Sequence, residues 1–342
     1  MSKQENQRFQ WPIVGHQHVV SYLQNGLLND KISHAYLFVG PEHVGKTEVA
    51  KNFVYSLVCK NLPAGNGLVP CGECDCCRQV ANKIHPDVLW VEREENEKNE
   101  KLKKNISIEQ IRELQSRLNL HSFLNSYKVA VIGGAETLSQ EAANSLLKSL
   151  EEPAPKTVLI LLATNLAAVL PTIISRCQVL RFRPVNQKEI FDHLLTLAVE
   201  RKKAKVLAAL AFGRPGTAIN YAEAPNNYAD FQEQIRQFIS LAKADLVSRF
   251  KILPEIMNFN DSDEVEATLL IWLKILRDLI LIKNFSPNLI SNLNLTGELT
   301  QLAGNYSNYD LVRLVKEVNF IKRYLAANVN PKLALENLVL NF

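Results

Sequence analysis

The first half of the chain alternates short apolar runs with stretches whose apolar residues recur every three or four positions. Ala35–Val39, Val88–Val91, residues 128–132 and residues 158–163 read as strands, and the last is apolar enough to need cover on both faces. Between the last two, residues 139–152 place Ala142, Ala143, Leu146, Leu147 and Leu150 on one side of a helix. Ser107 with Gln110 three positions later forms a capping box, opening a helix whose stripe is Ile108, Ile111, Leu114 and Leu118. Strands alternating with helices predict an α/β fold, a parallel sheet covered by helices on both faces. Residues 92–104 mix charges of both signs and read as a solvated excursion. After Pro184 the strand signals stop. Residues 187–198 and 204–212 read as helices, interrupted at Gly213, Pro215 and Gly216, and from about Phe231 almost everything is helical. Residues 265–282 are apolar on most sides and are predicted to form a central core helix.

Composition changes this picture little. A chain of 342 residues suits two or three domains, and 47% hydrophobic residues are enough for their cores. A net charge of +4 permits nucleic-acid contact without arguing for it, because tight phosphate binding needs a concentrated basic face. A stand-alone zinc-containing DNA-binding protein is therefore disfavoured, with no basic helix or aromatic groove evident. Residues 1–11 are polar, with no apolar signal core, and no apolar run is long enough to span a bilayer, so the expected location is cytoplasmic. In that setting Cys71, Cys74, Cys76 and Cys77 point to metal rather than disulfides. With Cys59 the spacing C-x11-C-x2-C-x2-C offers four soft thiolates for a closed, structural zinc site at Cys59, Cys71, Cys74 and Cys77. Cys76 is the spare, and its exchange with Cys77 stays open. Cys177, far away in sequence, reads as a small buried hydrophobe.

Gly40-Pro41-Glu42-His43-Val44-Gly45-Lys46-Thr47 fits the phosphate-loop pattern G-x-x-x-x-G-K-T, after a strand and before a helical run. Glycines at Gly40 and Gly45 let backbone N–H groups curl around phosphate oxygens. Lys46 would reach the β and γ phosphates, and the Thr47 hydroxyl would hold Mg²⁺. A loop that keeps its shape and binds weakly or not at all is the alternative. A hydrolytic protein of this kind needs a second strand ending in an acid. Here the strand is followed by Gly133-Gly134-Ala135-Glu136. Glycine neither binds a cation nor activates water, and Glu136, three residues beyond the metal position, is a poor substitute.

Four segments share a resemblance. Ser33-His34-Ala35-Tyr36-Leu37-Phe38-Val39-Gly40, the helix from Ala142 through Asn144, Lys148, Glu151 and Glu152 to Pro153, Pro171 through Ser175-Arg176-Cys177, and Asn330-Pro331 through Glu336 together resemble subunits of the bacterial DNA polymerase III clamp loader, an AAA+ family. The resemblance implies three domains. These are an AAA+ P-loop domain at 1–183 with a four-cysteine zinc module inserted at 59–77, a helical lid at 184–224, and a helical collar for oligomerisation at 225–342. Active members resemble Ile-Asp-Glu-Ala-His after the third strand, so Gly133 and Gly134 take the places of both acids. They also carry an arginine in a G-x-x-R-D-A run where this chain has Gly216; Arg214 falls two residues early and inherits no role. The resemblance gives Arg176 the part of a trans arginine, completing a neighbouring subunit's ATP site. The missing acids, with a chain ending near residue 342, favour a non-hydrolysing, stator-like subunit over an ATP-hydrolysing gamma/tau type. ATP with Mg²⁺ would bind without turnover. The implied partners are gamma/tau and delta subunits, with the sliding clamp and primed DNA met through the complex. The chain itself would be neither polymerase nor ATPase.

Overall fold

In the computed structural model, the residues described are 11–61, 70–95, 102–120, 127–259, 261–286, 290–326 and 330–342. Residues 96–101 of the charged stretch, 62–69 of the cysteine segment and most of the polar start lie outside them. Five strands, β1 (Ala35–Val39), β2 (Val88–Val91), β3 (Lys128–Gly133), β4 (Thr157–Ala163) and β5 (Gln178–Arg181), form one sheet in the order β2-β3-β4-β1-β5. Every pairing is parallel, for example Val39 opposite Ala163 and Tyr36 opposite Gln178. The helices that dress the sheet are α1 (Gln17–Leu28), α2 (Lys46–Val58), α3 (Asp75–Ala81), α4 (Ile108–Asn119), α5 (Gln140–Glu151) and α6 (Pro171–Ile174).

Strand periodicity divides the sheet's side chains between two cores. Tyr36, Phe38, Val131 and Ile160 pack with Val19, Leu23, Val49 and Phe53 of α1 and α2. Ala35, Leu37, Ile132 and Leu161 pack with Ile111, Leu114, Leu146 and Leu150 of α4 and α5. All seven residues of β4 are buried, as its unbroken apolar run requires. Burying a side chain such as Leu146 contributes about 2 kcal/mol, and truncating it to alanine costs about 2–5 kcal/mol. The helix boundaries follow local chemistry. Ser107 and Gln110 form the reciprocal capping box, and the Ser139 hydroxyl accepts from the Ala142 N–H to start α5. Within the charged stretch, the Lys103 N–H donates to the Glu94 carbonyl at 2.7 Å, so its described ends pair with each other.

Strand β5 had no sequence signal. Only Leu180 is buried in its four residues, because an edge strand with one hydrogen-bonded neighbour needs little apolar surface.

The chain forms two compact units. The sheet unit comprises Met1–Ile190 with Gly213–Gly216, and the helical unit Phe191–Phe212 with Thr217–Phe342. Helix α7 (Gln187–Thr196) straddles the first boundary, and α8 (Arg201–Leu210), α9 (Pro215–Glu223), α10 (Pro225–Lys243), α11 (Leu246–Ile256), α12 (Ser262–Lys283), α13 (Thr296–Gly304), α14 (Asn308–Ala326) and α15 (Pro331–Val339) follow. Helix α12 is the core helix its pattern predicts, burying Val265, Leu269, Trp272, Ile275, Leu276 and Leu279. Leu210 of α8 shares that core. Buried Asp278 accepts from the N–H groups of Ser291 and Asn292 at 3.1 and 3.0 Å, tying the segment before α13 to α12. Helix α14 leaves Tyr309, Val312, Phe320 and Tyr324 exposed. Among the described residues no helix is long and apolar enough to cross a membrane.

Candidate functional site

Two candidate sites lie at opposite ends of α2, both within the sheet unit. At its N-terminus the Gly40 N–H donates to the Ala163 carbonyl at 3.1 Å, carrying the chain from β1 into the phosphate loop beside β4. The loop turns through His43 and Gly45, and the φ of 113° at Gly45 is one that side chains resist. Lys46, 8% exposed, donates from Nζ to the Gly40 carbonyl and, at 2.8 Å, to the Pro41 carbonyl. Burial pushes its pKa down; the charges of Glu136 and then Glu42 pull it up, and Arg214 adds to the lowering. Buried His16, which no motif marked, donates from Nε2 to the Val44 carbonyl at 2.9 Å and packs against Phe182. It props the loop from outside the motif.

A cleft of about 600 Å³ opens at the C-terminal ends of β1, β3 and β4, where ligands of parallel sheets bind. Lys46, Thr47, Gly133, Gly134, Glu136 and Thr164 line it. The two acid positions present only glycine. Glu136 reaches the same cleft and its Oε1 accepts from the Thr164 N–H at 2.9 Å and hydroxyl at 2.5 Å. Gly216 also borders it, and its N–H donates to the His43 carbonyl at 2.9 Å. A Cβ at 216 would stand 3.0 Å from that carbonyl, so this backbone position has no room to carry a long side chain unless the loop gives way.

Arg176 sits at the opposite end of the strands from the phosphate loop. It precedes β5, whose Gln178 lies opposite Tyr36, whereas the phosphate loop follows Val39. The separation along the strands is roughly 20 Å at about 3.3 Å per residue, beyond the reach of an arginine. Arg176 Nη2 pairs with Glu151 Oε1 at 2.6 Å, and Nη1 donates to the Thr172 carbonyl at 3.0 Å. Its side chain is 36% exposed. It cannot serve its own loop and is presented outward.

At the C-terminus of α2, Cys59 is the cap residue, and Cys74 caps the start of α3. The sulfurs of Cys59, Cys71, Cys74 and Cys77 all lie within 4.8 Å of one another. Cys59 to Cys71 is 3.6 Å, and Cys59 to Cys74 and Cys71 to Cys77 are each 4.0 Å. Disulfide sulfurs sit about 2.05 Å apart, and all six cysteines are free. A tetrahedral zinc site with bonds of about 2.3 Å has edges of about 3.8 Å, so the cluster fits that ion. Backbone N–H groups of Cys74 and Glu73 pull the Cys71 thiol down to about 6, while burial pushes those of Cys59 and Cys77 up. Cys76, 1% exposed, packs instead into the core with Val80, while the Cys77 sulfur joins the cluster. Cys177 is half-buried rather than buried, packed against the core beneath α5, and burial pushes its thiol up to about 12.

Comparison with known proteins assigns the family. The sequence profile described as DNA polymerase III, delta subunit, matches residues 15–186, and the profile for the C-terminal part of the same protein matches 226–342. This chain belongs to the DNA polymerase III delta-subunit family. Among similar members, the delta' subunit of Bacillus subtilis is 28% identical over 94% of both chains. That of Pseudomonas aeruginosa is 41% identical over 42% of each. The tau subunit of Bacillus subtilis is 34% identical over 60% of this chain, which spans only 36% of tau. A gamma-subunit-related protein from Thermotoga maritima aligns at a TM-score of 0.48 and 18% identity, covering 93% of this chain and 97% of its own. The profile at 15–186 takes in the phosphate loop with Gly133, Gly134 and Glu136, the cysteine cluster and Arg176, and the second covers the helices from α10 onward.

Proposed function

We propose that the chain is a delta'-type, non-hydrolysing subunit of a cytoplasmic DNA polymerase III clamp loader, helping to load the sliding clamp on primed DNA. The observation that carries the reading is the cleft itself: a formed phosphate loop faced by Gly133 and Gly134 where hydrolysis needs two acids. Near-full-length similarity to a delta' subunit supports it. In this reading Gly40, Gly45, Lys46 and Thr47 hold nucleotide without turning it over. Thr47 alone among them offers Mg²⁺ a hydroxyl. Cys59, Cys71, Cys74 and Cys77 hold one structural zinc ion. Arg176 acts in trans, stabilising charge on the γ-phosphate in a gamma/tau neighbour's site. Residues 1–183, 184–224 and 225–342 serve as P-loop domain, lid and collar, and the exposed aromatic face of α14 supplies intersubunit surface.

Reconstitution with gamma/tau-type and delta-type subunits tests this. The chain alone should release no phosphate from ATP, and a ternary complex should form. Arg176→Ala should leave assembly intact and slow the complex's ATPase partially, because a trans arginine contributes on the order of 10³-fold to the one site it faces. Arg176→Lys should rescue poorly, since an ammonium lacks the planar guanidinium fork. Turnover by the isolated chain, or clamp loading at full rate by the alanine variant, contradicts the assignment.

A further inference from the structure

Glu136 stands on the wall of the phosphate cleft, on the single turn Ala135–Thr137 after β3, and the function proposed above gives it no work. Its position is tightly fixed. Oε1 accepts from both the N–H and the hydroxyl of Thr164, at 2.9 and 2.5 Å. Thr164 follows Ala163, whose carbonyl receives the Gly40 N–H, so the pair borders the mouth of the phosphate loop. Oε2 is buried and makes no hydrogen bond. Among the charges acting on Lys46, that of Glu136 is the largest, and it is attractive.

In phosphate loops the backbone cradles the inner phosphates while the lysine spans the β and γ groups. The terminal phosphate then lies beyond the lysine, toward the ends of the neighbouring strands. Glu136 occupies that side of this cleft. Both Thr164 donors that could meet a terminal phosphate are already given to its carboxylate. The acids that would bring Mg²⁺ there to neutralise the added charge are Gly133 and Gly134.

We propose that Glu136 makes this cleft selective for nucleoside diphosphates over triphosphates, its carboxylate standing in for the terminal phosphate opposite Lys46. The proposal rests on the reading that the loop binds nucleotide at all. A diphosphate leaves the Glu136–Thr164 and Glu136–Lys46 interactions in place. A triphosphate sets further negative charge against a fixed carboxylate and competes for donors already used. Like charges a few ångströms apart in a partly dry cleft weaken binding by about tenfold or more.

Titration calorimetry of the full chain with ADP and with ATP, each with and without Mg²⁺, tests it. The wild type should prefer ADP by about tenfold or more. Glu136→Gln keeps an acceptor for Thr164 but removes the charge, and should bring the ADP-to-ATP ratio to within about twofold. Glu136→Asp, with its carboxylate drawn back by one methylene, should give an intermediate ratio. Equal affinities in the wild type, or a ratio that Glu136→Gln leaves unaltered, overturns the proposal while ADP binding lost in Lys46→Ala keeps the nucleotide reading. No binding of either nucleotide by the wild type and by Glu136→Gln alike overturns both.

Discussion

At its N-terminal end α2 carries a phosphate loop whose backbone is fully formed, facing strand ends that have lost their acids. At its C-terminal end the same helix delivers Cys59 to three other sulfurs at distances a single zinc ion spans. One site has a formed backbone frame with glycine at the two strand-end positions, and the other gathers four sulfurs. The difference follows from what each is made of. A phosphate cradle is built from backbone N–H groups and two or three permissive residues, held by the sheet and by neighbours such as His16, so its shape does not depend on acids at the strand ends. A metal cluster is built from side chains alone, and losing one thiolate opens the tetrahedron. A surviving loop motif is therefore weaker evidence of a working site than four surviving cysteines.

The largest expected effect breaks the complete end. Cys74→Ser removes one of four thiolates and should lower bound zinc from about one ion per chain to nearly none, read by elemental analysis of freshly purified protein. Structural zinc contributes on the order of 10 kcal/mol in small zinc modules, so the segment between α2 and α3 should also become protease-sensitive. Cys76→Ser should keep its metal, because Cys76 packs in the core. Metal content indifferent to Cys74→Ser would refute the ligand set.

The next tests sharpen the incomplete end. Lys46→Ala should abolish nucleotide binding, read by calorimetry. Gly133→Asp should bind nucleotide and still not turn it over. A Cβ at this position would stand 3.1 Å from Glu92 Cγ and 3.4 Å from its Oε1, both on an exposed side chain that must shift slightly to house it. The water-orienting acid and the neighbour's arginine would both still be missing. Phosphate release by Gly133→Asp alone would mean that Glu136 already serves as the second acid.

The comparison also marks how far the sequence could be read. Four of the five strands, the capping box at Ser107 and the core helix α12 were legible because each rests on periodicity or local capping, which the sequence carries directly. The grouping of the four clustered sulfurs was legible up to the exchange of Cys76 with Cys77. That choice depends on which face of α3 meets the core, a tertiary fact. Strand β5 was not legible, since an edge strand needs few apolar residues. The contact of Glu136 with Thr164 was not legible by counting along the chain. Three residues from the metal position is far in an extended strand, but the turn at Ala135–Thr137 folds Glu136 back to Thr164. His16 carries no local signal, because its role comes from the Val44 carbonyl 28 residues away.

The smallest expected effect compares the two ends under acid. At the phosphate end, burial holds the pKa of His16 below its ordinary value of 6.5, against the opposing pull of its hydrogen bond to the Val44 carbonyl; the nearby charge of His18 acts with burial and that of Glu189 against it. Its Nε2–H donates to Val44 in the neutral ring. With the folded pKa below the unfolded one, the unfolded chain binds more protons between the two values. The stability His16 contributes is thus present above pH 6.5 and is lost as pH falls through the folded pKa. At the cysteine end, acid acts by a separate route, protonating thiolates and weakening their hold on metal. Thermal melts of wild type and His16→Gln from pH 7.5 to 5.5 separate the two. Both proteins share the cysteine term, so the difference in slope isolates His16. The wild type should lose more stability on acidification than the variant, by a few degrees in Tm at most. Parallel slopes would mean that the ring titrates alike in both states and that its contact with Val44 is independent of its charge.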